Sequence, residues 1–157
     1  SIKEVLRDLR DPAVRRADLV CVDAGDLSFN RALAGTNEVN VISKIHATRQ
    51  NAFDHVAART AAERGVAVEI SIAPLIHLRG MKRQQALNRY ADILALHRRY
   101  GFMLTLSSAA SSILDQRSVR EIRGLCGLFG MTGAEVNEAL SSVGRMIEPS
   151  GPVGAVR

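Results

Sequence analysis

Four short runs of β-branched and apolar residues, set between longer helical patterns, constrain this chain more than any other feature. They are "DLVCVDA" at 18–24, "EVNVISKI" at 38–45, "VAVEISI" at 66–72 and "FMLTLS" at 102–107. Strand-length runs that alternate with helix-length segments fold as βα units, and such units build parallel sheets. The intervening segments carry helix punctuation. Ser1 and Glu4 form an S-x-x-E capping box opening "IKEVLRDLR". "LSFNRAL" predicts a short helix near 27–34, and "AFDHVAARTAAERG" a longer one at 52–64 that stops at Gly65. "KRQQALNRYADILALHRRYG" predicts a helix from about 81 to 100, ended by Gly101, with Leu87, Tyr90, Ala91, Leu94 and His97 on its apolar face. "SVREIRGLCGLFG" (118–130) and "TGAEVNEALSSVG" (132–144) predict two more, the last opened by a Thr132/Glu135 capping box. The segment 148–157, "EPSGPVGAVR", is Pro/Gly-rich and reads as a flexible tail, which leaves 1–147 as one domain.

Four βα units make about half of a (β/α)₈ barrel, which normally takes ~200 residues or more. The expected fold is therefore α/β: a TIM-barrel-like fold, short or incomplete, with about four parallel strands. A four-stranded open α/β sheet is the alternative. Four strands of a barrel would leave two open edges, for a second copy of the chain or a separately encoded first half to pair with. No apolar run approaches the ~20 residues that span a bilayer, so no membrane is expected. "SIKEVLRDLR" has charges where a signal peptide needs an apolar core. Cys21 and Cys126 lie far apart with no CxxC pattern, which fits reduced thiols in a cytoplasmic protein.

Where the charge lies says more than its total of +5. Residues 1–43 hold 6 Lys/Arg against 7 Asp/Glu, residues 44–76 hold 4 against 3, and residues 101–157 hold 5 against 5. Residues 77–100 hold Arg79, Lys82, Arg83, Arg89, Arg98 and Arg99 against Asp92 alone, so the excess lies in one segment. A one-sided cluster favours a surface that faces phosphates over an ordinary solvated helix face. Lys44, Arg49, Arg79, Lys82 and Arg83 follow the second and third strands in the chain and so should gather near one rim of the sheet. Arg98 and Arg99, at the end of the long helix, also suit its dipole. With two tyrosines and no tryptophan there is no platform for stacking single-stranded bases. Nucleic-acid binding here would address backbone and shape.

Other chemistries find less support. The spacings of His46, His55, His77 and His97 fit no zinc pattern. His97 falls on an apolar helix face and reads as a satisfied core histidine. His55, after Asp54 at a helix start, reads as a capping or interhelical hydrogen-bonding group. His46, just past the second strand, is the one histidine expected at a barrel's functional face. Asp23 and Asp26 in "DAGDLSFNR" could bind a cation, though Asp26 also suits an N-cap. Ser107 and Ser108 lack a nucleophile elbow, and no phosphate-loop motif is present. The enzyme reading is a small metal-dependent phosphoesterase using Asp23, Asp26 and His46. A stand-alone open-sheet binding module would account for the strands but has no motif behind it.

"RQNAFDHVAARTAAERGVAVEISIAPLI" (49–76) resembles the centre of the archaeal ribonuclease P protein component 3 family, with its D-H-V-x-A helix and G-V-A-[IV]-E-[FI]-S strand. "RYADILALHRRYGFMLTLSSAA" (89–110) is similar to the family's basic helix, Y-G turn and strand ending in V-x-S-S-A. "LDQRSVREIRGLCGLFGMTGAEVNEALS" (114–141) resembles its "R-S-x-R-D-[LI]…L-G-M" close, and "RRADLVCVDAGDLSFNRAL" (15–33) its x-G-x-x-x-x-N-R-A turn. Two departures stand out: the family's N-terminal barrel units have no counterpart, and its acidic and lysine loop before D-H-V is here "HATRQNAF".

The resemblance implies a TIM-like barrel akin to metal-dependent phosphoesterase barrels of the PHP type, whose last-strand loops offer Asp and His ligands. In "TLSSAAS" those places hold Ser108, Ala109 and Ala110, which cannot hold a divalent cation by themselves. It implies a non-catalytic subunit of ribonuclease P, supporting removal of the 5′ leader from precursor tRNA. Its partners would be the catalytic RNA, precursor tRNA and a second protein, component 2. The protein itself would bind no cofactor and no metal, and magnesium would serve the RNA. The expected phosphate contacts are Lys44, Arg49, Arg79, Lys82, Arg83 and Arg89.

Overall fold

The computed structural model of the chain describes residues 1–148, so the tail expected at 148–157 lies, apart from Glu148, outside them. The elements run α1 (Ile2–Asp8), α2 (Pro12–Arg15), β1 (Cys21–Asp23), α3 (Leu27–Ala34), β2 (Val41–Ser43), α4 (His55–Arg64), β3 (Ala67–Ser71), α5 (Ala73–His77), α6 (Gly80–Tyr100), β4 (Leu104–Ser107), α7 (Val119–Gly127) and α8 (Gly133–Ile147). Short 3-10 turns at Ile45–Ala47 and Ile113–Asp115 follow β2 and β4. All four expected strands form, in the order β1-β2-β3-β4 and all parallel. The register pairs Val22 with Ile42, Ile42 with Val68, and Val68 with Leu104.

Alternation along the strands gives the sheet two unlike faces. Ile42, Val68, Ile70, Leu104 and Leu106 join one apolar core with Leu33, Ala57, Ala61, Tyr90, Leu94, Phe102 and Val136 from the helices. The opposite face is mostly polar, with Asp23, Ser43, Glu69, Ser71, Thr105 and Ser107 beside Val41 and Ala67, and in a closed barrel it would line the lumen. Its groups satisfy one another: the Ser107 hydroxyl donates to the Glu69 carboxylate. Of the two sheet ends expected to be open, α8 packs against β4. At the other end β1 leaves Cys21 and Asp23 exposed.

Helix punctuation fell largely where the residues place it. Capping boxes open α1, α7 and α8. Gly65 and Gly101 end α4 and α6 at φ 71° and 74°, a conformation that costs other L residues roughly 1–2 kcal/mol. The differences have local causes. The strands are shorter than the apolar runs, because the chain turns away at left-handed Lys44 after β2. Helix α4 starts at His55 rather than 52, because the Asp54 carboxylate accepts from the backbone N–H of Val56 (3.2 Å) and Ala57 (3.1 Å). Asp54 is therefore the cap, and His55, expected in that role, is exposed with its ring 3.8 Å from that carboxylate. On α6 the buried stripe is Ala86, Tyr90, Ile93 and Leu94, with Leu87, Ala91 and His97 half-buried on its flank. Tyr90 anchors that rotation by donating its hydroxyl to the Ser71 carbonyl at 2.8 Å. His97 is satisfied as expected, with Nδ1 2.6 Å from the Phe102 carbonyl. The short helices α2 and α5, each with a proline in its first turn, were not anticipated.

Two ion pairs tie distant segments together. Arg31 reaches Asp54 at 2.5 Å, and Arg98 grips Glu135 with two bonds of 2.8 and 2.9 Å. The guanidiniums hold both carboxyls down at about 2. A carboxyl whose folded pKa is depressed adds stability above its ordinary pKa near 4 and loses it as the pH falls toward 2. The carboxylates are 18% and 19% exposed but their guanidinium partners 43% and 47%, so after solvent screening each pair should contribute roughly 1 kcal/mol at neutral pH. Urea unfolding at pH 6 and at pH 2.5 should show that loss, and the Arg31→Met/Arg98→Met chain should show a much flatter profile. An unchanged profile in the double variant would mean other carboxylates govern acid unfolding.

Candidate nucleic-acid interface

In a parallel βα sheet, the loops after the strands form one rim, where barrel proteins concentrate function. Here that rim is built from the 24–26 turn after β1, the 44–54 loop after β2, α5 with the start of α6 after β3, and the 108–118 loop after β4. Buried Asn30 fixes the first two. Its side-chain oxygen accepts from the Gly25 N–H (2.8 Å), and its amide donates to the carbonyls of Gly25 (3.1 Å) and Ala52 (2.8 Å). The 44–54 loop is further held between Lys44 and Asn51, two non-glycine residues in left-handed conformation at φ 53° and 60°. Such strain persists only where the surroundings over-determine it, and it concentrates at functional sites.

A cavity of about 550 Å³ lies between this loop and α6. Its lining includes His46, Arg49, Gln50, Lys82, Gln85 and Arg89. Residues 82, 85 and 89 follow the helical spacing that puts side chains on one strip. Arg89 is the best fixed of them, 15% exposed, with its guanidinium on the Thr48 carbonyl (3.4 Å) and the Asp92 carboxylate (3.2 Å). His46 is half-buried, its ring edge-on to Tyr90 at 6.0 Å between centroids. Burial lowers its pKa, and its Nδ1 is buried without a hydrogen-bond partner.

On the other flank of α6, a groove of about 470 Å³ runs between α5 and α7 and includes Leu75, Ile76, Arg79, Arg83, Arg117 and Glu121. Carbonyls hold two of its guanidiniums, Arg79 on Ile76 and Leu78, and Arg117 on Leu114 (2.7 Å) and Gln116 (2.8 Å). Arg83 Nε is buried without a partner. The loop above is pinned by buried Asp115, which meets His77 Nε2 at 2.8 Å and accepts from Ser111. Burial raises the Asp115 carboxyl, but the bonds from Ser111 and the His77 ring outweigh it and leave the pKa lowered.

The six expected contacts thus fall into three places. Arg49, Lys82 and Arg89 share the cavity; Arg79 and Arg83 share the groove. Lys44 stands apart, its ammonium 2.7 Å from the Asp23 carboxylate. Arg117, which completes the groove, was missed, although its place after the fourth strand matched the reasoning that singled out the others. Within 4 Å of a carboxylate stand Arg7, Arg31, Lys44, Arg89, Arg98 and Arg145. Arg49, Arg79, Lys82, Arg83 and Arg117 have none that close among the described residues.

The geometry lends the phosphoesterase reading no support. Asp26 caps α3, accepting from the Phe29 N–H (2.9 Å) and the Ser28 hydroxyl (2.7 Å), and Asp23 is bound to Lys44. Among the described residues no three His, Cys, Asp or Glu are placed to share a metal ion. No described helix is long and apolar enough to cross a membrane.

Comparison with known proteins bears on the whole chain. Residues 3–150 match the family model described as RNase P subunit p30. Ribonuclease P protein component 3 of Methanothermobacter thermautotrophicus is 39% identical over 139 residues, which cover 87% of this chain and 57% of that protein. Ribonuclease P protein component 3 of Methanococcoides burtonii is 36% identical over 126 residues, covering 80% and 52%. The chain thus spans about half the length of the curated relatives it matches. A chain in the cryo-EM structure of archaeal ribonuclease P with mature tRNA superposes at a TM-score of 0.77 and 18% identity, covering 93% of this chain and 62% of that one. That likeness establishes the TIM-barrel-like fold.

Proposed function

This chain belongs to the RNase P subunit p30 family, and from that premise we propose that it is a non-catalytic protein subunit of ribonuclease P. It binds the catalytic RNA along the rim and supports removal of the 5′ leader from precursor tRNA in the cytoplasm. One observation carries the reading beyond family membership: five cations, Arg49, Arg79, Lys82, Arg83 and Arg117, gather on that rim around two adjoining depressions, with no carboxylate within 4 Å of any of them among the described residues. Unpaired guanidinium and ammonium groups gathered on one face neutralise phosphates and release counterions, which is how proteins gain affinity for structured RNA. Among the described residues the rim offers no exposed aromatic ring for base stacking, so backbone and shape supply the affinity.

In this reading the RNA carries the chemistry with its own magnesium, and the protein supplies phosphate contacts and positioning. Component 2 is the expected protein partner. The exposed β1 edge suits pairing with a further strand that would extend the sheet toward a closed barrel. The test is reconstitution of precursor-tRNA cleavage by the cognate RNA, with component 2, with and without this chain. The chain should lower the magnesium requirement or raise the rate, with no cleavage when RNA is omitted. No effect on either, or hydrolysis by the protein alone with manganese, would overturn the reading.

A further inference from the structure

The cavity beside α6 holds more than a phosphate needs. Phosphate recognition uses cations and N–H donors, and Arg49, Lys82 and Arg89 provide those. The same walls carry the amide side chains of Gln50 and Gln85, the wall of Leu78, and the half-buried ring of His46. Amides and a neutral imidazole, each able both to donate and to accept, match the edge of a nucleobase. At about 550 Å³ the cavity falls within the ~300–1,000 Å³ span of small-molecule sites. The left-handed residues Lys44 and Asn51 hold the loop that shapes it.

We propose that this cavity takes one unpaired nucleotide of a structured RNA, its phosphate on Arg49 and Lys82 and its base edge on Gln50, Gln85 and His46. The proposal rests on the RNA-subunit reading and names the RNA feature recognised: an extruded or bulged nucleotide flanked by duplex. The groove on the far side of α6, with three arginines around Leu75, Ile76 and Leu125, presents no such amide pair and would follow backbone only.

The probes are two labelled RNA hairpins of equal length and charge, one fully paired and one carrying a single-nucleotide bulge, titrated with the chain by fluorescence polarisation. The bulged hairpin should bind about tenfold more tightly, the discrimination that one or two hydrogen bonds confer. Gln85→Ala, at an exposed position, and His46→Phe should each bring the two affinities close to equality. Thermal melts report whether His46→Phe folds, and Gln85→Ala carries the test if it does not. Equal affinities in the wild-type chain, or a preference that survives Gln85→Ala, overturn the nucleotide site while leaving the RNA-subunit reading intact. If neither hairpin binds at low salt, both ideas fall together.

Discussion

An Asn30→Leu chain should unfold with about 4 kcal/mol less stability than the wild type, the largest single-residue effect expected outside the aromatic core. Leucine branches as asparagine does, with bulkier methyl groups, and offers no polar atom. Its introduction would leave the N–H and carbonyl of Gly25 and the carbonyl of Ala52 without the partners they now have at 2.8, 3.1 and 2.8 Å. Each backbone group left unpaired in the interior costs ~1–3 kcal/mol. Water has little room to substitute at the Ala52 carbonyl, whose bond to Asn30 is buried, and more at half-buried Gly25. Domains of this size have roughly 5–15 kcal/mol in hand, so the variant should still fold in the cold and melt early. Urea midpoints for wild type and variant decide it. A loss below ~1 kcal/mol would mean the two loops reorganise freely and that Asn30 does not set the rim. The Arg31–Asp54 pair beside it makes such reorganisation harder, since it spans the same two segments.

Asn30 also shows what the sequence could and could not convey. The alternation of β-branched runs with capped helical patterns was enough for four parallel strands, because that signal is repeated and local. The x-G-x-x-x-x-N-R-A turn was visible through family resemblance, yet nothing in its spacing says that the asparagine reaches across to Ala52. That contact joins residues 22 apart and exists only after folding. The same limit applies to the basic residues. Position after a strand is topological, so Arg49, Arg79, Lys82 and Arg83 could be assigned to one rim. Which flank of α6 each one takes depends on helix phase against the core, and Tyr90 sets that phase through Ser71. Lys44 was legible as a rim cation, but its neutralising partner Asp23 lies on the neighbouring strand.

The division of the rim predicts a second large effect, and it shows why sequence neighbours are the wrong pair to alter together. Lys82 and Arg83 are adjacent in the chain but line different depressions. A joint substitution there would sample both without separating them. Arg49→Gln with Lys82→Gln removes two exposed cations from the cavity, and Arg79→Gln with Arg117→Gln removes two from the groove. Each cation that meets a phosphate contributes about one unit to the slope of log affinity against log salt. If the RNA backbone crosses the cavity, the first pair should lower that slope by about two units and weaken binding roughly thirtyfold near ~0.15 M salt. If it runs through the groove, the second pair should do so instead, and equal losses would mean that it straddles α6. The glutamines keep length and polarity, and loss of structure would show as a changed urea midpoint. Should both pairs leave slope and affinity unchanged, the unpaired cations do not contact RNA, and its path must be sought off the strand-end rim.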